Sequence, residues 1–168
     1  MNAASLVEKA KTSPFYLWLL NFSFNRMIPF NRPHGFEIIE IGDYLLRTRL
    51  PYKKKNLNHL NGLHACALAT LTEITGGFIL VTRLDPKKYR IILKKLELNY
   101  LYQGKTDAFG EMRISEQWMQ EHVLQPLASA ESVEVVSEVA IHDANGNQLT
   151  AGKAYWQVKD WTKVKTRT

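Results

Sequence analysis

Gly62-Leu63-His64-Ala65-Cys66-Ala67-Leu68-Ala69-Thr70-Leu71-Thr72-Glu73-Ile74-Thr75-Gly76-Gly77-Phe78-Ile79-Leu80-Val81 is the stretch that decides the fold. Leu63, Ala67, Leu68, Leu71, Ile74 and Ile79 recur at helical spacing. The other faces carry little beyond small residues, threonines, His64 and one carboxylate, Glu73. A helix apolar on nearly every side must be enclosed by the rest of the chain. Gly76-Gly77 is expected to loosen its C-terminal part, and Asp85-Pro86 marks the turn after it.

Outward from this helix the period changes from helical to two residues. Downstream, Ile92, Leu96, Leu98 and Tyr100 alternate with Lys95, Glu97 and Asn99, and Ala108, Gly110, Met112 and Ile114 alternate with Phe109, Glu111 and Arg113. Ser115 caps a short helix over Glu116 to Val123, which Pro126 closes. Val133, Val135, Val139 and Ile141 form a further strand, and Asn145-Gly146 turns it back into Leu149–Lys159. Upstream, Phe36–Ile41 and the run carrying Tyr44, Leu46, Thr48 and Leu50 read as two strands joined at Gly42-Asp43.

The N-terminal segment differs from both. Lys9 and Lys11 precede the apolar run Phe15–Leu20, which superficially resembles a signal peptide but lacks the small-residue cleavage pattern. Asn21, Asn25 and Arg26 interrupt the run before it reaches the ~20 residues of a spanning helix. Residues 3–29 are expected to form one or two amphipathic helices whose face of Phe15, Trp18, Leu19, Phe22 and Ile28 packs on the domain or covers a groove, with membrane-surface binding as the minority reading. Pro29 and Pro33 end this part.

At 168 residues, with a hydrophobic share of 45% and a charged share of 23%, the chain has the composition of an ordinary globular domain. That argues against a disordered, fibrous or membrane-embedded protein. One cysteine, Cys66, excludes a disulfide framework, and a cytoplasmic protein is expected. The 22 lysines and arginines against 16 acids leave a net charge of +6, suited to phosphate, nucleic acid or anionic lipid without choosing among them.

The order of elements is that of an α+β fold in which one antiparallel sheet wraps around a long central helix, the hotdog arrangement, with an N-terminal helical extension. Asn58 stands six residues before His64 and Glu73 nine residues after it. This spacing resembles the signature of the phenylacetyl-CoA thioesterase-like branch of the hotdog acyl-CoA thioesterases, in which Asn is followed by His-Gly-Gly and then a carboxylate. Leu96–Leu101, Asp143–Gly146 and Ala151–Trp156 also resemble the corresponding strands. The similarity covers roughly residues 33–159. Here the His-Gly-Gly is His64-Ala65-Cys66, the carboxylate is glutamate rather than aspartate, and Leu93 or a neighbouring lysine stands where relatives place a hydroxyl.

Thioester hydrolysis needs a carboxylate that activates water or attacks the carbonyl, and donors where negative charge develops on oxygen. Glu73 is the candidate base or nucleophile, the alternative being a structural glutamate on the one exposed edge of the helix. The backbone amides of His64, Ala65 and Cys66, at the expected helix N-terminus, are candidate oxyanion donors. Asn58 would orient water or thioester, although an Asn in a loop also serves as a turn residue. Cys66 beside His64 imitates a nucleophile pair, but adjacent positions rarely give productive geometry, so its side chain is expected in the core while the position counts with the substrate-binding residues. Lys87, Lys88 and Arg90 are assigned to the phosphates of a coenzyme A moiety. His59 and His64 lack a third ligand, so no metal is expected, and coenzyme A enters only as part of the substrate.

If residues 64–73 are helical, Glu73 lies roughly 13 Å along and ~180° around from His64, too far for one chain to bring both to one carbonyl. A homodimer or dimer of dimers is therefore expected, as the resemblance also implies. The division expected is a helical extension (1–33), a thioesterase-like domain (34–160) and a basic tail (161–168). The leading reading is an acyl-CoA thioesterase. The alternative is a hotdog protein that binds acyl groups or acyl-CoA without hydrolysis. A nucleic-acid or membrane-surface role for the basic tail ranks third, so neither contact is expected.

Overall fold

A computed structural model describes residues 2–163. Two N-terminal helices, α1 (Ala3–Ala10) and α2 (Pro14–Met27), precede strands β1 (Glu37–Ile41) and β2 (Leu45–Leu50). A short 3-10 turn over Lys54–Asn56 leads to the long helix α3 (Ala65–Arg83). Strands β3 (Tyr89–Tyr100) and β4 (Ala108–Arg113) follow, then α4 (Glu116–Met119), α5 (Gln125–Ser129), β5 (Ser132–Asp143) and β6 (Gln148–Asp160). The part of the basic tail beyond Lys163 lies outside the described residues.

All six strands form one antiparallel sheet in the order β1-β2-β4-β5-β6-β3. Its inner face presents Leu46, Thr48, Leu50, Ala108, Met112, Val135, Val139, Ile141, Ala154 and Val158, all buried, to α3. Leu71, Ile79 and Leu80 of α3 are nearly inaccessible in return. This is the wrapped helix expected from its apolar circumference. By length and hydropathy α3 also matches a membrane span, but it is mostly buried within the sheet as the core helix.

The helix begins later and runs further than its apolar pattern indicates. Gly62 and Leu63 remain in the preceding loop, where Leu57 and Leu63 form a bridge, and His64 is the N-cap. Gly76-Gly77 does not loosen it. Both glycines are buried where the sheet approaches the helix backbone: a Cβ on Gly76 would lie 2.9 Å from Cβ of Ser137, and one on Gly77 2.5 Å from Cζ2 of Trp156. Ser137 also donates its hydroxyl to the Gly76 carbonyl at 2.9 Å. Gly77→Ala gains helix propensity of up to ~1 kcal/mol but pushes a buried indole out of place at a cost of about 1–3 kcal/mol. A lower melting temperature is the expected net result; a variant melting at or above wild type would remove close approach as the reason for this glycine.

Three further expectations change. A bulge between Leu93 and Lys95 shifts the face of β3, so Ile92 points outward while Ile91, Leu93, Leu96 and Leu98 face the core. Pro126 does not end the helical insertion. It stands in the first turn of α5, directly after a π turn over Gln120–Leu124 that joins α5 to α4. In the β5–β6 hairpin only Gly146 adopts a positive φ, at 85°, because the Asp143 carboxylate organises the turn through the Asn145 and Asn147 amides.

The largest change concerns α2. Leu20 and Phe24 are its buried residues, whereas Phe15, Trp18, Phe22 and Ile28 are exposed. Two asparagines set the rotation of the helix. Asn21 treats the outer edge of β1 as a strand would: its Nδ2 donates to the Ile38 carbonyl at 2.8 Å and its Oδ1 accepts the Ile38 amide at 2.7 Å. Asn25, one turn later, donates to the Phe36 carbonyl at 3.2 Å. A sheet edge needs such partners, and satisfying them turns Phe24 inward against Phe78 of α3, with ring centroids 5.2 Å apart.

Candidate functional site

The N-terminal end of α3 is built by the loop before it. Asn58 closes the turn to Gly62: its amide donates to the Gly62 carbonyl at 2.8 Å, and its Oδ1 accepts from the Leu60 and Gly62 amides at 2.9 and 3.1 Å. Asn61 sits in the left-handed region, φ 58°. The side-chain oxygen of Asn58 is thus spent on the turn, and Nδ2, without a partner among the described residues, is the half left to meet a ligand. Asn56 is fully buried and ties this loop to the N-terminal connection. It donates to the His34 and Pro51 carbonyls at 2.9 and 2.8 Å, and its Oδ1 stands 3.0 Å from Nδ1 of His34.

This scaffold determines which helix amides remain open. The His64 amide donates to the Asn56 carbonyl at 2.8 Å, and the Leu63 amide to the Gly104 carbonyl at 2.8 Å. Nδ1 of His64 accepts the Cys66 amide at 3.1 Å, which places that ring's proton on Nε2. Ala67 and Leu68 donate to the His64 carbonyl. Of the three amides expected as oxyanion donors, two are engaged, and the Ala65 N–H alone has no acceptor among the described residues. Ala65, Cys66 and the exposed ring of His64 line this corner; Cys66 is exposed at the first turn of the helix and not packed in the core. The Tyr100 hydroxyl joins them, donating to the Ala65 carbonyl at 3.0 Å. Burial, with Cys66 nearby, pushes its phenol above the usual range.

Glu73 lies two turns further along α3. Cys66, Ala69, Thr70 and Glu73, spaced i, i+3, i+4 and i+7, form a stripe left partly open, while Leu68, Leu71, Thr72, Ile74 and Thr75 are buried around it. The carboxyl of Glu73 has no hydrogen bond or ion pair among the described residues, and burial pushes its pKa up. Thr70 spends its hydroxyl on the Cys66 carbonyl at 2.9 Å. Eight residues separate Ala65 from Glu73, about 12 Å along the axis. The sequence-based angle from His64 does not apply, since His64 is an extended cap residue.

Lys87, Lys88 and Arg90 are not brought to this corner. They follow the opposite end of α3, roughly 27 Å along its axis from Ala65. There Lys88 lies 5.0 Å from the Tyr89 ring centroid and 4.0 Å from an Asp160 carboxylate oxygen, and Arg90 is 5.5 Å from the Trp161 ring. A concavity of about 1400 Å³ between α2 and β1 contains neither Glu73 nor Ala65. No cluster of three or more His, Cys, Asp or Glu side chains suited to a metal occurs among the described residues.

A single antiparallel sheet in this order wrapped around one buried helix is the hotdog architecture. The chain belongs to the family described as domain of unknown function DUF4442, whose model matches residues 17–158 and so reaches back into α2. A search of curated proteins finds no match. Among solved structures, a Pseudomonas aeruginosa protein of unknown function, described as a probable thioesterase, superposes with a TM-score of 0.78 at 23% identity, over 85% of this chain and 95% of that one. A thioesterase from Haemophilus influenzae gives 0.66 at 12% identity, over 89% and 94%. A mutant of a thioesterase enzyme from Staphylococcus aureus gives 0.64 at 15% identity, over 79% and 99%. At these identities the likeness establishes the fold.

Proposed function

We propose that this protein is an acyl-CoA thioesterase, with Glu73 as general base or nucleophile and the Ala65 amide as oxyanion donor, the two contributed by different subunits. The observation that carries this reading is Glu73 itself, a half-buried carboxyl on the core helix with no partner among the described residues and a raised pKa. An unpaired carboxylate in such a place costs stability, and a pKa moved toward neutrality suits proton transfer. The positive end of the α3 dipole at Ala65 favours negative charge on a thioester oxygen.

Two features support assembly. About 12 Å separates the two groups within one chain. The β3 edge is open over twelve residues, with Ile92 and Tyr100 exposed, whereas the opposite edge at β1 is capped by α2. A two-fold pairing of β3 edges would cover the first edge and set two equal sites across the interface. Release of free thiol from a panel of acyl-CoAs by the purified protein tests the activity. Sedimentation at micromolar protein tests the assembly, and a single 19 kDa species would exclude a shared site.

The second reading, an acyl or acyl-CoA binding protein without hydrolysis, is favoured by one observation: the Cys66 amide is closed by the His64 ring, leaving one open donor instead of a pair. Asn58 offers a finer test. Asn58→Asp keeps the acceptor that holds Leu60 and Gly62 but loses the Nδ2 donor, whereas Asn58→Ala loses both. Under the catalytic reading both variants lose roughly ten- to a hundredfold in turnover, and the Ala variant alone also melts lower. Wild-type turnover in Asn58→Asp would confine Asn58 to the turn.

A further inference from the structure

The face of α2 turned away from the protein carries an aromatic row. Phe15, Trp18 and Phe22 are 63%, 59% and 56% exposed, and their rings stack in sequence with centroids 6.1 and 5.9 Å apart. Met27, 80% exposed, and the exposed Phe30 extend this surface past the helix end. Between residues 9 and 36 the chain carries Lys9, Lys11, Arg26 and Arg32 and no Asp or Glu. Arg26, Arg32 and Lys55 line the groove beside the row, and Lys54 adjoins Lys55 on its 3-10 turn. None of these four forms an ion pair among the described residues. Among the described residues the one carboxylate lining this groove, Glu37, is engaged by Arg49 at 2.7 Å.

We propose that this face docks the protein on an anionic lipid surface. Phe15, Trp18 and Phe22 enter the boundary between headgroups and acyl chains, and Arg26, Arg32, Lys54 and Lys55 meet lipid phosphates. A row of large exposed aromatics bordered by unpaired cations is the composition of an interfacial helix. The rotation of α2 follows from Asn21 and Asn25 on the β1 edge, so the row is presented by the fold itself. A second copy on this face, related by a two-fold axis, would set the same four cations against one another with no acid to answer them. Single-stranded nucleic acid also stacks on exposed aromatics beside cations, so oligonucleotide binding is an outcome that the test separates from vesicle binding. The proposal is independent of whether the protein hydrolyses thioesters.

The test is co-sedimentation of the full chain with phosphatidylcholine vesicles, with and without phosphatidylglycerol, at low and high salt. Binding is expected only with phosphatidylglycerol and is weakened by salt. Trp18→Ala with Phe22→Ala, and separately Arg26→Gln with Arg32→Gln, each weaken it about tenfold or more while leaving the melting temperature near wild type, because all four side chains are exposed. Three results would overturn the proposal: no binding to anionic vesicles, binding unchanged in both variant pairs, or oligonucleotide binding without vesicle binding. Dissociation of the assembly by Trp18→Ala with Phe22→Ala would also overturn it, by assigning the face to a second copy.

Discussion

Glu73→Gln lowers turnover of acyl-CoA thioesters by about 10²-fold or more while acyl-CoA binding persists, because glutamine keeps the size and hydrogen-bonding capacity of the side chain but neither accepts a proton nor attacks a carbonyl. Stability stays level or rises. Burial raises the pKa of Glu73 in the folded chain above its ordinary 4.5, so the native state holds this proton more tightly than the unfolded chain does. The stabilisation that follows is fully present below the unfolded value and is lost as pH rises through the raised folded one. Glutamine has no such loss, so the variant's advantage in melting temperature grows from acid pH toward neutrality. Wild-type turnover rises over the same interval, as the carboxylate form appears. Unchanged turnover in Glu73→Gln together with a lower melting temperature would show a structural Glu73 and favour the binding protein without hydrolysis.

Ala65→Pro is the second large effect. Residue 65 is the first helical position of α3, where proline's fixed φ and missing N–H are both tolerated. His64 before it is already extended, at φ −69° and ψ 137°, as a residue preceding proline prefers. The substitution therefore deletes one atom group of interest, the open Ala65 N–H, while the Cys66 amide stays on the His64 ring and the Ala65 carbonyl keeps Tyr100. Loss of an oxyanion donor lowers turnover by about 10²–10³-fold. Near-wild-type melting with that loss marks the amide as catalytic, whereas near-wild-type turnover would show that no charge develops against it.

The fold was legible because α3 is apolar nearly all round: such a nineteen-residue helix has to be wrapped, and the period-two segments on either side supply the sheet. Glu73 stood out for the same reason, as a charge in an apolar run. What stayed hidden depends on contacts distant in sequence. Nothing near Asn21 indicates that its amide will pair with Ile38, yet that pairing decides which side of α2 faces water. Nothing near Asn56 announces His34, and nothing near His64 announces that its amide goes to Asn56, so which helix amides remain free was not readable. The β3 bulge that turns Ile92 outward, and the sheet contacts that hold Gly76 and Gly77 in a continuous helix, are likewise products of tertiary packing.

Mixing the two impaired chains tests the shared site most directly. If Glu73 of one subunit serves the Ala65 amide of another, a dimer of one Glu73→Gln chain and one Ala65→Pro chain contains one intact site and one doubly impaired site. Random re-pairing of equal amounts then restores about a quarter of wild-type activity per protomer from two nearly inactive preparations. A mixture no more active than its components, with subunit exchange verified by mass, would contradict a site built from Glu73 of one chain and the helix start of its partner.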